Sequence, residues 1–462
     1  TGREVSTDDL QALAADETAQ GFDLMSAPLM RLTLVRLDDE RLHLIWTRHH
    51  ILMDGWSNSR LLGEVLQCYH GQGSSVPVTR FAEYIRWLAR QPQAALQAFW
   101  SGKLRELESP TLLAGTVAPY ADSKLEGHDA LYLHWDAAKT SRLRQQAQRL
   151  RVTPNTLIQA TWLLLLQRYT GQSSVCFGAT VAGRPAGLAG SDEMLGLFIN
   201  TLPVVQAPQP DVVVSDWLQQ LQAYNLELRD HEHAALADVQ RWAGQPGQAL
   251  FDSIVVFENY PVDERLRESA DGTLRFGEVS NRDVTNFAMD LAVHLSETLS
   301  VEFLYLRSRF TQAATDAIRG SFESLLTAML DNPRAAIGSL GMLTSAQVQQ
   351  MVARNRLPAG ESSMLHLPGQ VARHAFERPH ASAVSCGERV LTYAELDHRA
   401  NRLAHHLTSL GARPEVTVGI ALERSVDVIV AFLAVMKTGA AYVPLDIDYP
   451  QDRLQWIVED SA

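Results

Sequence analysis

The chain has 462 residues, 46% of them hydrophobic and 20% charged, and a formal net charge of -13. This length predicts two or three domains with buried cores, and the charge argues against general nucleic-acid binding. Three cysteines, Cys68, Cys176 and Cys386, stand far apart with no Cys-x-x-Cys pair, which argues for a reducing compartment such as the cytoplasm and against a disulfide framework or a zinc site. Apolar runs such as WLLLL at 162–166 are too short for a bilayer, and no signal peptide opens the sequence. The sequence starts inside what already reads as a domain and is expected to be a fragment.

In chain order, RLTLVRL and LHLIWTR flank the polar DDE and predict a β-hairpin. Along the second strand, period-2 geometry puts Leu42, Leu44, Trp46, Arg48 and His50 on one face and turns His49 to the other. After Asp54-Gly55, Ser57 is a candidate cap for a helix to about His70, with Leu61, Leu62, Val65, Leu66 and Tyr69 on its buried side and Gly71 as its stop. Strand, tight loop and helix together make a place where rigid elements hold a loop from both sides. Further on, LYLHW predicts a strand, and an amphipathic helix begins near Asp136. TPNTLIQATWLLLLQRYTG predicts a largely buried helix with Pro154 in its first turn and Gly171 past its end. SSVCFGATVAGRP reads as a strand feeding a Gly-Arg-Pro turn, and LGLFINTLPVVQ, DSIVVFENYP and LSVEFLYL supply further strands. Helices and strands alternate without regular βαβ spacing, which predicts a mixed, layered α/β domain. From Thr344 the sequence turns polar, with a Pro-Ala-Gly break, and a new domain begins near Leu367.

RHHILMDGWS, at 48–57, concentrates the chemistry. One reading is a strand end followed by an Asp-Gly turn, which turn geometry alone favours. A metal site at His49, His50 and Asp54 is disfavoured, because adjacent strand residues point apart. In a catalytic reading one histidine faces a cleft as base or positioner, while Asp54 supports the loop.

HHILMDG at 49–55 resembles the His-His-x-x-x-Asp-Gly signature of nonribosomal peptide synthetase condensation domains. Related acyltransferases share its His-x-x-x-Asp core. GFDLMSAPLMRL (21–32), FAEYIRWLA (81–89), GATVAGRP (178–185), LGLFINTLPV (195–204), DHEHAAL (230–236), DSIVVFENYP (252–261) and TNFAMDL (285–291) extend the likeness over roughly residues 1–345. LTYAELDHRANRLAHHL (391–407) and MKTGAAYVPLDIDYP (436–450) resemble the first motifs of adenylation domains; the phosphate loop that the family places next has no counterpart here, so by resemblance 368–462 does not activate ATP alone. The family's first two condensation motifs have no counterpart either.

The resemblance implies an α/β fold of two chloramphenicol-acetyltransferase-like lobes in a V, at 1–115 (incomplete) and 116–345. A linker at 346–367 and an incomplete α/β adenylate-forming domain at 368–462 would follow. It implies peptide bond formation between thioesters on upstream donor and downstream acceptor carrier domains. Their phosphopantetheine arms enter as substrates, with no cofactor held covalently and no metal, nucleic acid or membrane partner. The rest of the adenylation domain would be a further partner. His50 would face the tunnel as base or positioner, and His49 would pack or hydrogen-bond behind the loop. Asp54 would pair with Arg184 to fix that loop. Gly55 would either let its N–H face the oxyanion or serve as a turn glycine with φ > 0. Asn200 would either line the tunnel or cap a strand. An epimerisation domain shares the signature, but an adenylation-like start directly downstream argues against it; a non-catalytic carrier-docking scaffold is the third reading.

Overall fold

The computed structural model describes residues 6–69, 71, 79–117, 124–185, 187–244, 247–258, 285–355 and 366–461. The chain divides into two compact units, Thr1–Met351 and Val352–Ala462.

The first unit opens with helix α1 (Thr7–Ala19) and the hairpin β1 (Met30–Arg36) and β2 (Leu42–Arg48). The strands pair antiparallel, with Leu34 opposite Leu44 and Leu32 opposite Trp46. Glu17 of α1 ties to the hairpin, accepting from Arg31 Nε at 2.8 Å and from Thr33 Oγ1 at 2.7 Å. Helices α2 (Gly55–Tyr69), α3 (Phe81–Ala89), α4 (Gln93–Leu104) and α5 (Leu113–Val117) follow. Two expectations change here. Strand β2 ends at Arg48 and His50 opens a short 3-10 turn, so strand parity does not set its direction. On α2, Val65 and Tyr69 are exposed and Ser57 is the buried residue. An amphipathic pattern specifies a face for burial but not the surface that covers it.

The body of the unit is a six-stranded mixed sheet in the order β3-β8-β7-β6-β4-β5. The strands are β3 (His128–Trp135), β4 (Val175–Val181), β5 (Asn200–Gln206), β6 (Ser253–Glu258), β7 (Met289–Leu295) and β8 (Leu299–Leu306). β4, β6 and β7 run parallel, and the other pairs are antiparallel. Helices α6 (Ala137–Leu150), α7 (Pro154–Thr170), α8 (Val214–Arg229), α9 (Leu236–Trp242) and α10 (Gln312–Asp331) complete it. Strand β8 alternates strictly between buried and half-buried residues, as a sheet packed hard on one face must. Trp162 of α7, Phe322 of α10 and Phe303 of β8 meet in that core with no exposed surface.

The ends of α7 follow from its sequence. Thr153 accepts from the Thr156 N–H, Pro154 occupies the first turn, and Gly171 closes the helix at φ 68°. Helix α6 begins on its Asp136 cap but ends with Arg151 at φ 57°, in the left-handed region where glycine is the unstrained choice. Arg151→Gly should therefore raise unit stability by roughly 0.5–1 kcal/mol, read as a higher urea midpoint at unchanged slope; a lower midpoint would mean that the arginine side chain holds contacts worth more than the strain.

Helix α11 (Ser345–Asn355) runs into the stretch expected to be a linker at 346–367, so nearly half of that stretch is helical. In the second unit, α12 (Leu367–Glu377), the antiparallel pair β9 (Ser382–Cys386) and β10 (Arg389–Thr392), α13 (Tyr393–Ser409) and α14 (Val426–Thr438) enclose a core of Leu391, Leu396, Ala400, Val426, Val430 and Leu433. β11 (Thr417–Ile420) and β12 (Ala441–Pro444) pair in parallel, and α15 (Gln451–Asp460) ends the fold. Among the described residues, no helix is long and apolar enough to cross a membrane.

Candidate active site

The loop after β2 holds both histidines, each in a defined hydrogen-bond setting. His49 precedes the 3-10 turn, and its Nδ1 accepts from the Ile51 N–H at 3.2 Å, which leaves the proton on Nε2. The edge of its ring meets Phe22. The His50 side chain does the reverse. Its Nδ1 lies 3.1 Å from the Met53 carbonyl oxygen; a carbonyl only accepts, so Nδ1 donates and the neutral ring offers a lone pair at Nε2. His50 is exposed, whereas Met53 and Asp54, three and four residues further on, are buried.

Asp54 is the centre of a clamp. Its Oδ1 accepts from the Ser57 N–H at 2.8 Å and its carbonyl from the Asn58 N–H at 2.9 Å, so Asp54, not Ser57, caps α2. Oδ2 accepts from the Phe198 N–H at 3.0 Å, and Arg184 Nη2 reaches Oδ1 at 3.3 Å. The ion-pair side chains are 1% and 5% exposed. Both carboxylate oxygens of Asp54 are thus engaged, one by the Ser57 N–H and Arg184 and the other by the Phe198 N–H.

Arg184 leaves β4 through the Gly-Arg-Pro turn. It donates also to Ser57 Oγ at 2.9 Å, to the Met194 carbonyl at 3.1 Å and to the Ser191 carbonyl. Its guanidinium lies over the Phe198 ring at 4.0 Å and faces Trp56 at 5.9 Å. Burial pulls the guanidinium below its ordinary pKa, and the Asp54 charge pulls it back up. Gly183 makes the turn possible: at φ 62° a Cβ would fall 1.8 Å from the Phe198 carbonyl oxygen. Behind this lie Tyr84, Met194 and Phe198, all buried, with Phe81 and Trp87 packed on them. Burial, aided by Glu232, pushes the Tyr84 phenol up to about 12, so it stays neutral.

Gly55 is the first residue of α2 and helical, which overturns its reading as a turn glycine with φ > 0. Asn200 at the start of β5 donates to the carbonyls of Glu232 (2.8 Å) and Ala234 (2.6 Å) and accepts from the Thr201 N–H. Its amide thus holds the 232–234 turn to the start of the strand. Ser57 and Gly196 are not legible as site residues in the sequence, since neither side chain has distinctive chemistry. Among the described residues, no group of three or more His, Cys, Asp or Glu is arranged to hold a metal ion.

A second buried carboxylate lies on β7. Asp290 is 5% exposed and accepts from Thr285 Oγ1 at 2.8 Å on each oxygen. Burial, reinforced by Glu302, pushes its pKa up to about 7. The native state therefore holds this proton more tightly than the unfolded chain. The stability it contributes is complete below the ordinary Asp range and is lost as pH rises through about 7. Asp290→Asn should remove a slope amounting to as much as about 4 kcal/mol between pH 4 and 8. Urea midpoints across that range test it, and a variant with the parent's pH slope contradicts it.

The condensation-domain family model matches residues 2–352, and the AMP-binding enzyme model matches residues 371–462. The chain is 38% identical to a linear gramicidin synthase of Brevibacillus parabrevis over 98% of its own length, and it spans 9% of that relative. A four-domain nonribosomal peptide synthetase, holo-AB3403 bound to AMP and glycine, superposes with a TM-score of 0.75 at 20% identity over 99% of this chain and 36% of the other. The X-domain from teicoplanin biosynthesis superposes with a TM-score of 0.63 at 20% identity, over 73% of this chain and 80% of that one.

Proposed function

The chain belongs to the condensation-domain family of nonribosomal peptide synthetases, with the start of an AMP-binding domain behind it, and from that membership we propose that it joins two carrier-bound acyl groups by forming a peptide bond. Residues 1–345 form the condensation domain, 346–367 the linker and 368–462 the opening of an adenylation domain too short to act alone. Upstream donor and downstream acceptor carrier domains present their thioesters on phosphopantetheine arms.

In the proposed reaction the acceptor α-amine attacks the donor thioester carbonyl. The new C–N bond forms, the C–S bond breaks, and the amine proton leaves with the thiol. The observation that carries the reading is the state of His50: an exposed ring whose Nδ1 is committed to the Met53 carbonyl, so that its Nε2 lone pair is available. That lone pair holds the attacking amine or accepts its proton. An α-amine has a pKa of roughly 7.7–8.0, so part of it is neutral near pH 7 and a strong base is unnecessary. In this reading the oxyanion is stabilised by the Gly55 N–H, and the position of Gly55 as the first residue of a 15-residue helix, at its positive end, supports that role. Asp54, Arg184 and His49 support the loop.

An epimerisation domain would instead exchange the α-hydrogen of a carrier-bound aminoacyl group. Incubating the complete module, loaded with α-deuterated donor and acceptor, separates the two. Peptide bond formation yields dipeptide with deuterium retained at both α-carbons. Loss of the label without dipeptide would refute condensation in favour of epimerisation, and neither event would leave the scaffold reading.

A further inference from the structure

We infer that the peptide group joining Met53 to Asp54 orients the His50 ring, and that Ser57, acting through Gly196, is a positioning residue for the reaction proposed above. The inference rests on that reading for its kinetic consequence, though not for its structural one.

The Met53 carbonyl accepts from His50 Nδ1 at 3.1 Å. The N–H at the other end of the same peptide group, that of Asp54, donates to the Gly196 carbonyl at 3.2 Å. A trans peptide is planar with its oxygen and hydrogen on opposite sides, so the direction of one end fixes the direction of the other. Where Gly196 sits therefore decides where the Met53 carbonyl points, and with it the ring that donates to that carbonyl.

Gly196 is held from three sides. Ser57 Oγ donates to its carbonyl at 2.8 Å and accepts from its N–H at 3.1 Å. The same hydroxyl accepts from Arg184 at 2.9 Å. One proton and two lone pairs are all that a serine hydroxyl has, and all three are engaged at a residue with no exposed surface. On the third side, a Cβ at Gly196 would fall 2.1 Å from Phe81 Cδ2. Phe81 is itself wedged against Phe198 and Tyr84. The glycine thus marks a close approach that a larger residue would force apart.

The chain of contacts runs from Arg184 through Ser57 and Gly196 to the 53–54 peptide and the imidazole. It does for His50 what a buried carboxylate does for the histidine of a catalytic triad: it fixes tautomer and direction, here with a backbone carbonyl as the acceptor.

The test uses the full 462-residue chain with 15N-labelled histidine, the His50 signals being assigned by their loss in His50→Ala. At pH 8 the Nδ1–H form of His50 should dominate; a His50 that is mainly Nε2–H overturns the proposal without any variant. In folded Ser57→Ala, the Nε2–H population should rise at least twofold. In the complete module the same change should lower kcat for dipeptide formation by about 10–100-fold, with KM for both carriers within about twofold. Gly196→Ala, which disturbs the same contact from the Phe81 side, should act in the same direction. Folded variants with the parent's tautomer balance and kcat overturn the role of Ser57. If the unsubstituted module forms no dipeptide, the reaction reading fails, and the tautomer measurement still decides what orients His50.

Discussion

His50→Ala in a complete module should lower dipeptide formation by at least two decades while leaving the fold and carrier binding unchanged. The size follows from what the ring supplies. General-base assistance contributes about 10²–10⁴ in rate, and holding the amine against the carbonyl draws on a positioning effect of up to roughly 7–11 kcal/mol. The clean separation from stability follows from burial. The His50 ring is exposed and is held through its Nδ1 bond to the Met53 carbonyl, so its loss leaves no cavity. Single-turnover rates with both carriers loaded, beside thermal melting, check the two halves. An unchanged rate would remove His50 from the chemistry and leave catalysis to the alignment of the two thioester arms. A collapse of the fold would make the residue structural.

Asp54→Ala should have the opposite signature, a loss of about 3–5 kcal/mol in stability with activity falling as a consequence. Removing the carboxylate leaves Arg184, 5% exposed, without its counter-charge, and strands the N–H groups of Ser57 and Phe198. It also removes the cap of α2. A double-mutant cycle with Arg184→Met identifies the cause. If the cost comes from an uncompensated buried charge, the double variant is more stable than the sum of the single losses predicts, by more than about 1 kcal/mol. Additive losses, or a single loss below about 1 kcal/mol, would show that Asp54 does not anchor the loop.

How far the fold and the site can be read from the sequence depends on the kind of information each element needs. Helix α7 is legible to its ends because Thr153, Pro154 and Gly171 act on their own backbone. The Asp54–Arg184 contact, 130 residues apart, comes from motif resemblance, and nothing in local patterning pairs the two. Alternation misdirects His50 because the strand that would carry it stops two residues earlier, at Arg48. What redirects the ring is a carbonyl three residues ahead, a contact of the backbone that side-chain periodicity does not encode. Serine near a helix start suggests a cap at Ser57. Its hydroxyl instead serves Gly196 and Arg184, more than 120 residues away in sequence. The left-handed φ of Gly183 and the close approach at Gly196 become visible only when Phe198 and Phe81 are in place.

The most direct test of the central claim loads donor and acceptor carriers of the complete module with defined aminoacyl groups and follows the carriers by intact-protein mass spectrometry. Condensation predicts that the donor mass leaves the upstream carrier and appears, joined through one new amide, on the downstream carrier. Donor and acceptor groups that stay on their own carriers across several substrate pairs, with both carriers confirmed as loaded, would contradict it.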